Sequence, residues 1–280
     1  MSTLFVAALV MGILALLLGA AIGIFVKFFK VERDPRIALV QELLPGANCG
    51  GCGHAGCADF AQAVVSGKEP PSRCPVSSRE QTSAIALALG IDSGKVFEQR
   101  AVVRCSGDIR RMQIKKFYNG ALHCAAANMI AGGPKGCRYG CLGMGDCAHA
   151  CPFGAIEIIN SLAVVHREIC VGCGKCVQAC PRGVIKLVPV DSEVHVYCNS
   201  PEKGAVKRSL CRGGCIGCGK CERAFPGKFK KEGFLARVDY EAAELPTAAD
   251  VEAIKCPTGA LATEKVHYAS EKNDLPGEGK

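Results

Sequence analysis

The stretch Gly136–Pro181, GCRYGCLGMGDCAHACPFGAIEIINSLAVVHREICVGCGKCVQACP, decides how the rest of the chain is read. Two cysteine runs, each closed by Cys-Pro, flank a short apolar segment of β type. The second run, Cys170, Cys173, Cys176 and Cys180, is spaced C-x2-C-x2-C-x3-C-P; the first, Cys137, Cys141, Cys147 and Cys151, is a stretched C-x3-C-x5-C-x3-C-P. The compact spacing suits a [4Fe–4S] cluster. Three thiolates close in sequence reach three irons of one cubane, and interleaved glycines let backbone N–H groups approach the sulfurs. The cysteine before proline turns away to serve the other cluster. This crossing assigns Cys137, Cys141, Cys147 and Cys180 to one cluster and Cys151, Cys170, Cys173 and Cys176 to the next. Zinc knuckles would need four ligands in one closed tetrahedral site and would leave the crossed pairs without a purpose.

The chain has 280 residues, 20 of them cysteine, no tryptophan and 6% aromatic residues. That length is about two domains on a soft prior. Cysteine in C-x2-C groups argues for metal and a reducing compartment rather than disulfides. Cores this poor in aromatics are small, so clusters must replace part of the missing apolar burial. The formal charge of +8 has no nucleic-acid motif beside it. An acidic redox partner, steered by complementary charge, is the better match.

Residues Met1–Val26 carry no charged side chain. About 20 helical residues cross the ~30 Å hydrocarbon core. Lys27, Lys30, Arg33 and Arg36 follow, so the positive-inside rule puts the bulk of the chain in the cytoplasm. A signal peptide would instead carry a positive segment before a short apolar one. Gly19-Ala20-Ala21-Ile22-Gly23 offers a small-residue face for another membrane helix. The divisions expected are an anchor over 1–30, a helical cluster module over 31–92, a connector over 93–135, a two-cluster ferredoxin-like domain over 136–190, a degenerate ferredoxin-like unit over 191–265, and a disordered polar tail over 266–280. The fold class is α+β.

In the helical module, Cys49, Cys52, Cys57 and Cys74 are spaced C-x2-C-x4-C-x16-C-P and form a further cluster set. Pro35 suits a first helical turn, and Asp59–Val65 reads as a helix ending near Gly67. Gly51, Gly53 and Gly56 match a dinucleotide fingerprint in form only, since cysteines interrupt it and no strand precedes it. His54 is a hydrogen-bond donor near the cluster rather than a ligand. In the connector, Ala101–Val103 reads as a strand and Gly120–Ile130 as a short helix. Arg104, Arg110, Arg111, Lys115 and Lys116 read as a solvated basic face.

The C-terminal unit keeps Cys215, Cys218, Cys221 and a distant Cys256-Pro257. The other positions of a full unit hold Phe225, Pro246, Ala249 and Glu252. Under the crossing rule those four lost positions belong to one cluster, and Cys215, Cys218, Cys221 and Cys256 complete the other. Phe225 is expected to help fill the vacated space. Cys105, Cys124, Cys198 and Cys211 remain; four is the right number for another site, but their spacings match no cluster motif, so they read as structural thiols, leaving four cubanes in the chain, with a fifth cluster as the alternative.

The anchor, the segment NCGGCGHAGC with Cys74-Pro75, GGPKGCRYGCLGMGDCAHACPFGAI and CVGCGKCVQACP, in this order over about residues 1–190, resemble the RnfB subunits of the Rnf ion-translocating ferredoxin:NAD oxidoreductase complexes. The region past 190 resembles members with extra ferredoxin units and departs from a full unit at Phe225, Pro246, Ala249 and Glu252. The resemblance implies a cytoplasmic electron-input subunit reduced by ferredoxin, passing current to flavin-bearing and membrane subunits whose turnover moves Na+ or H+. No catalytic constellation accompanies the cysteines, so the chain alone converts no substrate. A membrane-tethered polyferredoxin that reduces a redox-sensing regulator is the alternative.

Overall fold

The computed structural model describes residues 2–28, 34–95 and 98–264; the expected polar tail, and Lys30 and Arg33 beside the anchor, lie outside them. Helix α1 (Ser2–Phe28) is one unbroken apolar helix, whose Phe5–Phe25 segment is long and apolar enough to cross a membrane. Its leucines, Leu9, Leu16 and Leu18 among them, face outward, as a lipid-facing helix requires.

Three helices build the small module. Asp34 starts α2 (Pro35–Leu43) by accepting the Arg36 N–H at 2.9 Å, with proline in the first turn where no donor is needed. Helix α3 is Cys57–Val65, and α4 (Arg79–Leu89) begins with a reciprocal Ser78–Gln81 capping box and ends at Gly90 in the left-handed region. Val40, Phe60, Val64 and Ile85 make one core with Cys52 and Cys74.

Two lobes follow, each a pair of two-stranded antiparallel ladders. In the first, β1 (Gln99–Val103) pairs with β4 (Ile185–Pro189), setting Ala101 opposite Leu187. The segment read as a connector therefore supplies an edge of this lobe. The expected Gly120–Ile130 helix is shorter, α5 (Cys124–Met129), and α6 spans Asp146–His149. The apolar segment between the cysteine runs is a hairpin, β2 (Ile156–Ile159) and β3 (Leu162–Val165). Asn160 and Ser161 turn it with φ of 49° and 62°, the doubly positive turn that matches strand twist. Helix α7 (Lys175–Ala179) carries the end of the second run.

The second lobe repeats the plan. Strand β5 (Val194–Val196) precedes α8 (Gly204–Leu210) and α9 (Lys220–Ala224); β6 (Phe229–Glu232) and β7 (Leu235–Val238) form the hairpin; α10 (Ala248–Ile254) leads to β8 (Leu261–Thr263), which pairs back on β5. The lobes meet through Val102 and Val188 of one and Tyr197, Ala262 and Tyr240 of the other. His195, fully buried there, shares a 3.0 Å hydrogen bond with the Tyr240 hydroxyl.

The vacated half of this lobe is filled differently from the expectation. Where a second cysteine loop would lie, the chain forms α10, started by a Thr247–Asp250 capping box. Pro246 is buried ahead of it, while Ala249 and Glu252 are exposed on the helix. Phe225 is only half-buried, packed beside Val251 against the lobe core, with the Lys228 ammonium 5.7 Å over its ring. A helix, rather than one aromatic ring, takes up the space.

Candidate iron–sulfur centres

Each recognised thiol set sits in a loop where backbone N–H groups converge on sulfur. In the module, the Cys52 thiol lies near Cys49 and Cys74 and accepts the His54 N–H; burial raises its pKa. The His54 ring turns away to Asp59, Nδ1 to Oδ2 3.1 Å, and tilts against Phe60. It is therefore a brace for the loop rather than a ligand. Gly51 is where this loop touches the first lobe. An added Cβ would stand 2.9 Å from the Cys173 carbonyl oxygen and 2.9 Å from the Pro75 ring, so only glycine lets the two loops approach.

Cys151, Cys170, Cys173 and Cys176 come together as the spacing predicts. Burial, then the neighbouring Cys170, Cys173 and Cys151, push the Cys176 thiol up to about 12. The Ala101 N–H donates to Cys170 Sγ at 3.4 Å and the Ala155 N–H to Cys151 Sγ at 3.4 Å. Cys173 faces Cys49 of the module as well as its own set.

Cys141, Cys147 and Cys180 also converge, but their fourth neighbour is Cys124, not Cys137. These four cysteines line one cavity of about 330 Å³, open solvent included, with Asp146 and Arg182. Cys147 is pushed up to about 12 by burial first, then by Cys141, Cys124, Cys180 and Cys176. Asp146 fixes Cys124 in place by accepting its N–H at 2.9 Å and that of Ala125 at 3.0 Å. Arg182 straps the loops, donating to the Cys137 and Gly140 carbonyls at 2.9 and 2.8 Å, to Asn128 at 3.1 Å and to the Gly132 carbonyl. Cys180 lies beside Cys141 and Cys147, and Cys151 beside Cys170, Cys173 and Cys176; it is in the stretched run that the neighbours differ from the expected set. Five residues between Cys141 and Cys147, with glycines at 143 and 145, make a different loop, and Cys137 points elsewhere.

Cys215, Cys218, Cys221 and Cys256 line a cavity of about 390 Å³, open solvent included, with Val196, Ile254 and Leu261 as its apolar wall. Cys137 lines a further cavity of about 360 Å³ with Cys105, Cys198 and Cys211. Among the described residues no group of three or more His, Cys, Asp or Glu side chains is close enough to hold a single metal ion. In three of the sets the thiols stand instead around spaces of similar size, as the corners of a polynuclear cluster must. Of the connector's basic residues, Arg110, Lys115 and Lys116 are exposed, whereas Arg104 is half-buried with its Nη2 enclosed and unpaired.

This is an iron–sulfur protein of mixed helix and strand with an apolar N-terminal helix. Residues 44–76 match the family described as "Putative Fe-S cluster" and residues 163–186 the "4Fe-4S binding domain" family. The chain is 43% identical over 265 residues to the B subunit of the proton-translocating ferredoxin:NAD(+) oxidoreductase complex of Clostridium ljungdahlii, covering 93% of each chain. It is 38% identical to the B subunit of the ion-translocating oxidoreductase complex of Methanosarcina acetivorans, covering 87% of this chain and 94% of that one. Against the B subunit of the Na(+)-translocating ferredoxin:NAD(+) oxidoreductase complex of Acetobacterium woodii it is 39% identical over 72% of this chain and 61% of that one. The chain belongs to the family of B subunits of the ion-translocating ferredoxin:NAD oxidoreductase complexes. The names of these relatives, all members of a complex, do not favour the regulator-reducing alternative.

Proposed function

We propose that this chain is the membrane-anchored electron-input subunit of an ion-translocating ferredoxin:NAD oxidoreductase complex. It takes electrons from reduced ferredoxin and delivers them to flavin-bearing and membrane subunits whose turnover drives Na+ or H+ transport. Helix α1 anchors it in the cytoplasmic membrane, with the clusters on the cytoplasmic side. The ligand sets are Cys49, Cys52, Cys57 and Cys74; Cys151, Cys170, Cys173 and Cys176; Cys124, Cys141, Cys147 and Cys180; and Cys215, Cys218, Cys221 and Cys256.

The observation that carries this reading is the adjacency of the thiol sets. Cys49 of the module faces Cys173 of the first lobe, and Cys176 of that set faces Cys147 of the next. A [4Fe–4S] cluster, when bound, takes up and releases one electron at a time. The protein's part is to set the spacing and the field. Glycine at 51 brings two loops into contact, buried walls keep water off the thiolates, and N–H groups aimed at sulfur favour their anionic form.

The test is reduction of the full detergent-purified chain by a reduced acidic ferredoxin. The rate is expected to fall steeply with salt, since screening shortens the reach of surface charge to about 8 Å at physiological ionic strength. A rate that does not change with salt removes charge steering. A chain that ferredoxin cannot reduce at any salt removes the electron-input role.

A further inference from the structure

We infer that Cys105, Cys137, Cys198 and Cys211 are the ligands of a fifth [4Fe–4S] cluster, held between the two ferredoxin-like lobes. Two ligands come from each lobe. Cys105 follows β1 by two residues and Cys198 follows β5 by two residues, in Val103-Arg104-Cys105 and Val196-Tyr197-Cys198. The repeat thus places equivalent cysteines on either side of one cavity. Cys137 and Cys211 close it, each at the end of the segment that leads into its lobe's cysteine run.

Three observations separate this set from four structural thiols. The first is the enclosed space. The cavity matches in size those of the two neighbouring sets, and four cysteines line it as four line each of them. A Cβ built on Gly140 would lie 3.4 Å from Cys105 Sγ and 3.6 Å from Cys137 Sγ; one built on Gly107 would lie 3.4 Å from Cys105 Sγ and 3.6 Å from Cys211 Sγ. At both positions the nearest atom to such a Cβ is Met112 Cε, so glycine there leaves room for the Met112 side chain that lines the cavity beside the sulfurs. Structural thiols in a core are packed, because a void forfeits contacts on every side.

The second is the hydrogen bonding. Cys105 accepts the Gly107 N–H at 3.3 Å and the Cys141 N–H at 3.4 Å. Cys137 accepts from Tyr139 and Gly140, Cys198 from Ser200 and Cys215, and Cys211 from Gly213. Each sulfur thus faces the N–H two residues on, as Cys52 faces His54 and Cys173 faces Lys175 in the recognised loops. Such loops present donors to an anionic sulfur.

The third is charge. Lys207, 3% exposed, lines the cavity and donates to the Ser200 and Phe234 carbonyls at 3.1 and 2.6 Å. Lys135, 4% exposed, donates to the Gly107 carbonyl at 3.0 Å and to that of Ser161. Among the described residues neither has a carboxylate at ion-pair distance. Buried ammonium groups need a counter-charge, and a thiolate-ligated cluster is anionic. The site also completes the row of sets: its Cys105 adjoins Cys141, and its Cys198 adjoins Cys215. All 20 cysteines then have a ligand role.

The proposal concerns ligation and stands whether or not ferredoxin is the donor. It is tested by iron and sulfide counting with EPR on the full chain, purified anaerobically in detergent and reconstituted. About 20 Fe per wild-type chain is expected from five cubanes. Cys198→Ser is expected to lose about four Fe, or to show an oxidised three-iron signal accounting for about one Fe lost, with the other clusters' signals intact. Cys124→Ser should remove a different signal. About 16 Fe in the wild type, or Cys198→Ser with the wild-type count and spectrum, overturns the site, and stoichiometric zinc overturns its class. The wild-type count decides even if a variant fails to fold.

Discussion

The two lobes share one plan and differ in how much metal chemistry the plan retains. In both, a glycine of the cysteine run before the hairpin passes under a carbonyl of the hairpin turn: Gly143 (φ 72°) beneath Ser161 and Gly217 (φ 69°) beneath Phe234. In both, a left-handed glycine, Gly145 or Gly219, starts the short helix carrying the third cysteine of that run. Past the hairpin they part. The first lobe folds a second cysteine loop and carries two thiol sets of its own. The second lobe puts α10 in that place and keeps one set. A cluster can thus be replaced by a helix when the helix restores backbone hydrogen bonding and core contact. Ile254 and Val251 supply that contact from α10.

Removing the distant ligand of each lobe should have the largest effect. Cys256→Ala should lose or convert the C-terminal cluster, a change of about four Fe at most, and Cys180→Ala should do the same to the set of Cys124, Cys141 and Cys147. EPR with iron counting reads both. A Cys256→Ala protein that keeps all its iron would show that the sequence gap of 35 residues from Cys221 is not bridged by a cluster.

A second prediction concerns the seam between lobes. Burial, then the Arg167 and Arg104 charges, lower the His195 pKa to about 4. Its folded pKa lies below its unfolded one, so the unfolded chain binds the extra proton. The stability that neutral His195 contributes is present above pH ~6.5 and is lost as pH falls toward ~4, about 3 kcal/mol in full and about 2 kcal/mol by pH ~5. Denaturant titrations at two pH values should show this slope, and His195→Asn should flatten it. An unchanged slope in the variant would place the acid sensitivity elsewhere.

Smaller effects test the repeat itself. Gly143→Ala and Gly217→Ala each force a side chain into left-handed backbone against a carbonyl of the hairpin turn, and each should destabilise its own lobe by about 2 kcal/mol. Thermal unfolding that responds to only one of them would end the equivalence. Phe225→Ala should lose no iron and only about 1 kcal/mol, because the ring is half-buried and full burial would be worth several times more. A loss as large as that of a core phenylalanine would mean the ring, not α10, fills the vacated site.

The chemistry and its local frames were legible in the amino-acid order alone. Cysteine spacing marked four loops, the uncharged N-terminal run marked a helix long enough for a membrane, and the paired losses at Phe225 and Glu252 marked a missing loop. These signals are short-range: a thiolate loop and an apolar period are written within a few residues. Which sulfurs share a cavity was settled only by the folded chain. Cys124 joins Cys147 because Asp146 caps its helix from 22 residues away. Cys105 and Cys198 meet because two separate ladders place the ends of β1 and β5 side by side. No spacing rule carries that information, since a ligand set drawn from two lobes has no fixed separation along the chain. The strand-then-cysteine repeat at Val103–Cys105 and Val196–Cys198 and the C-R-x-G-C repeat at Cys137–Cys141 and Cys211–Cys215 are traces of it, and only the folded lobes show that the pairs are equivalent.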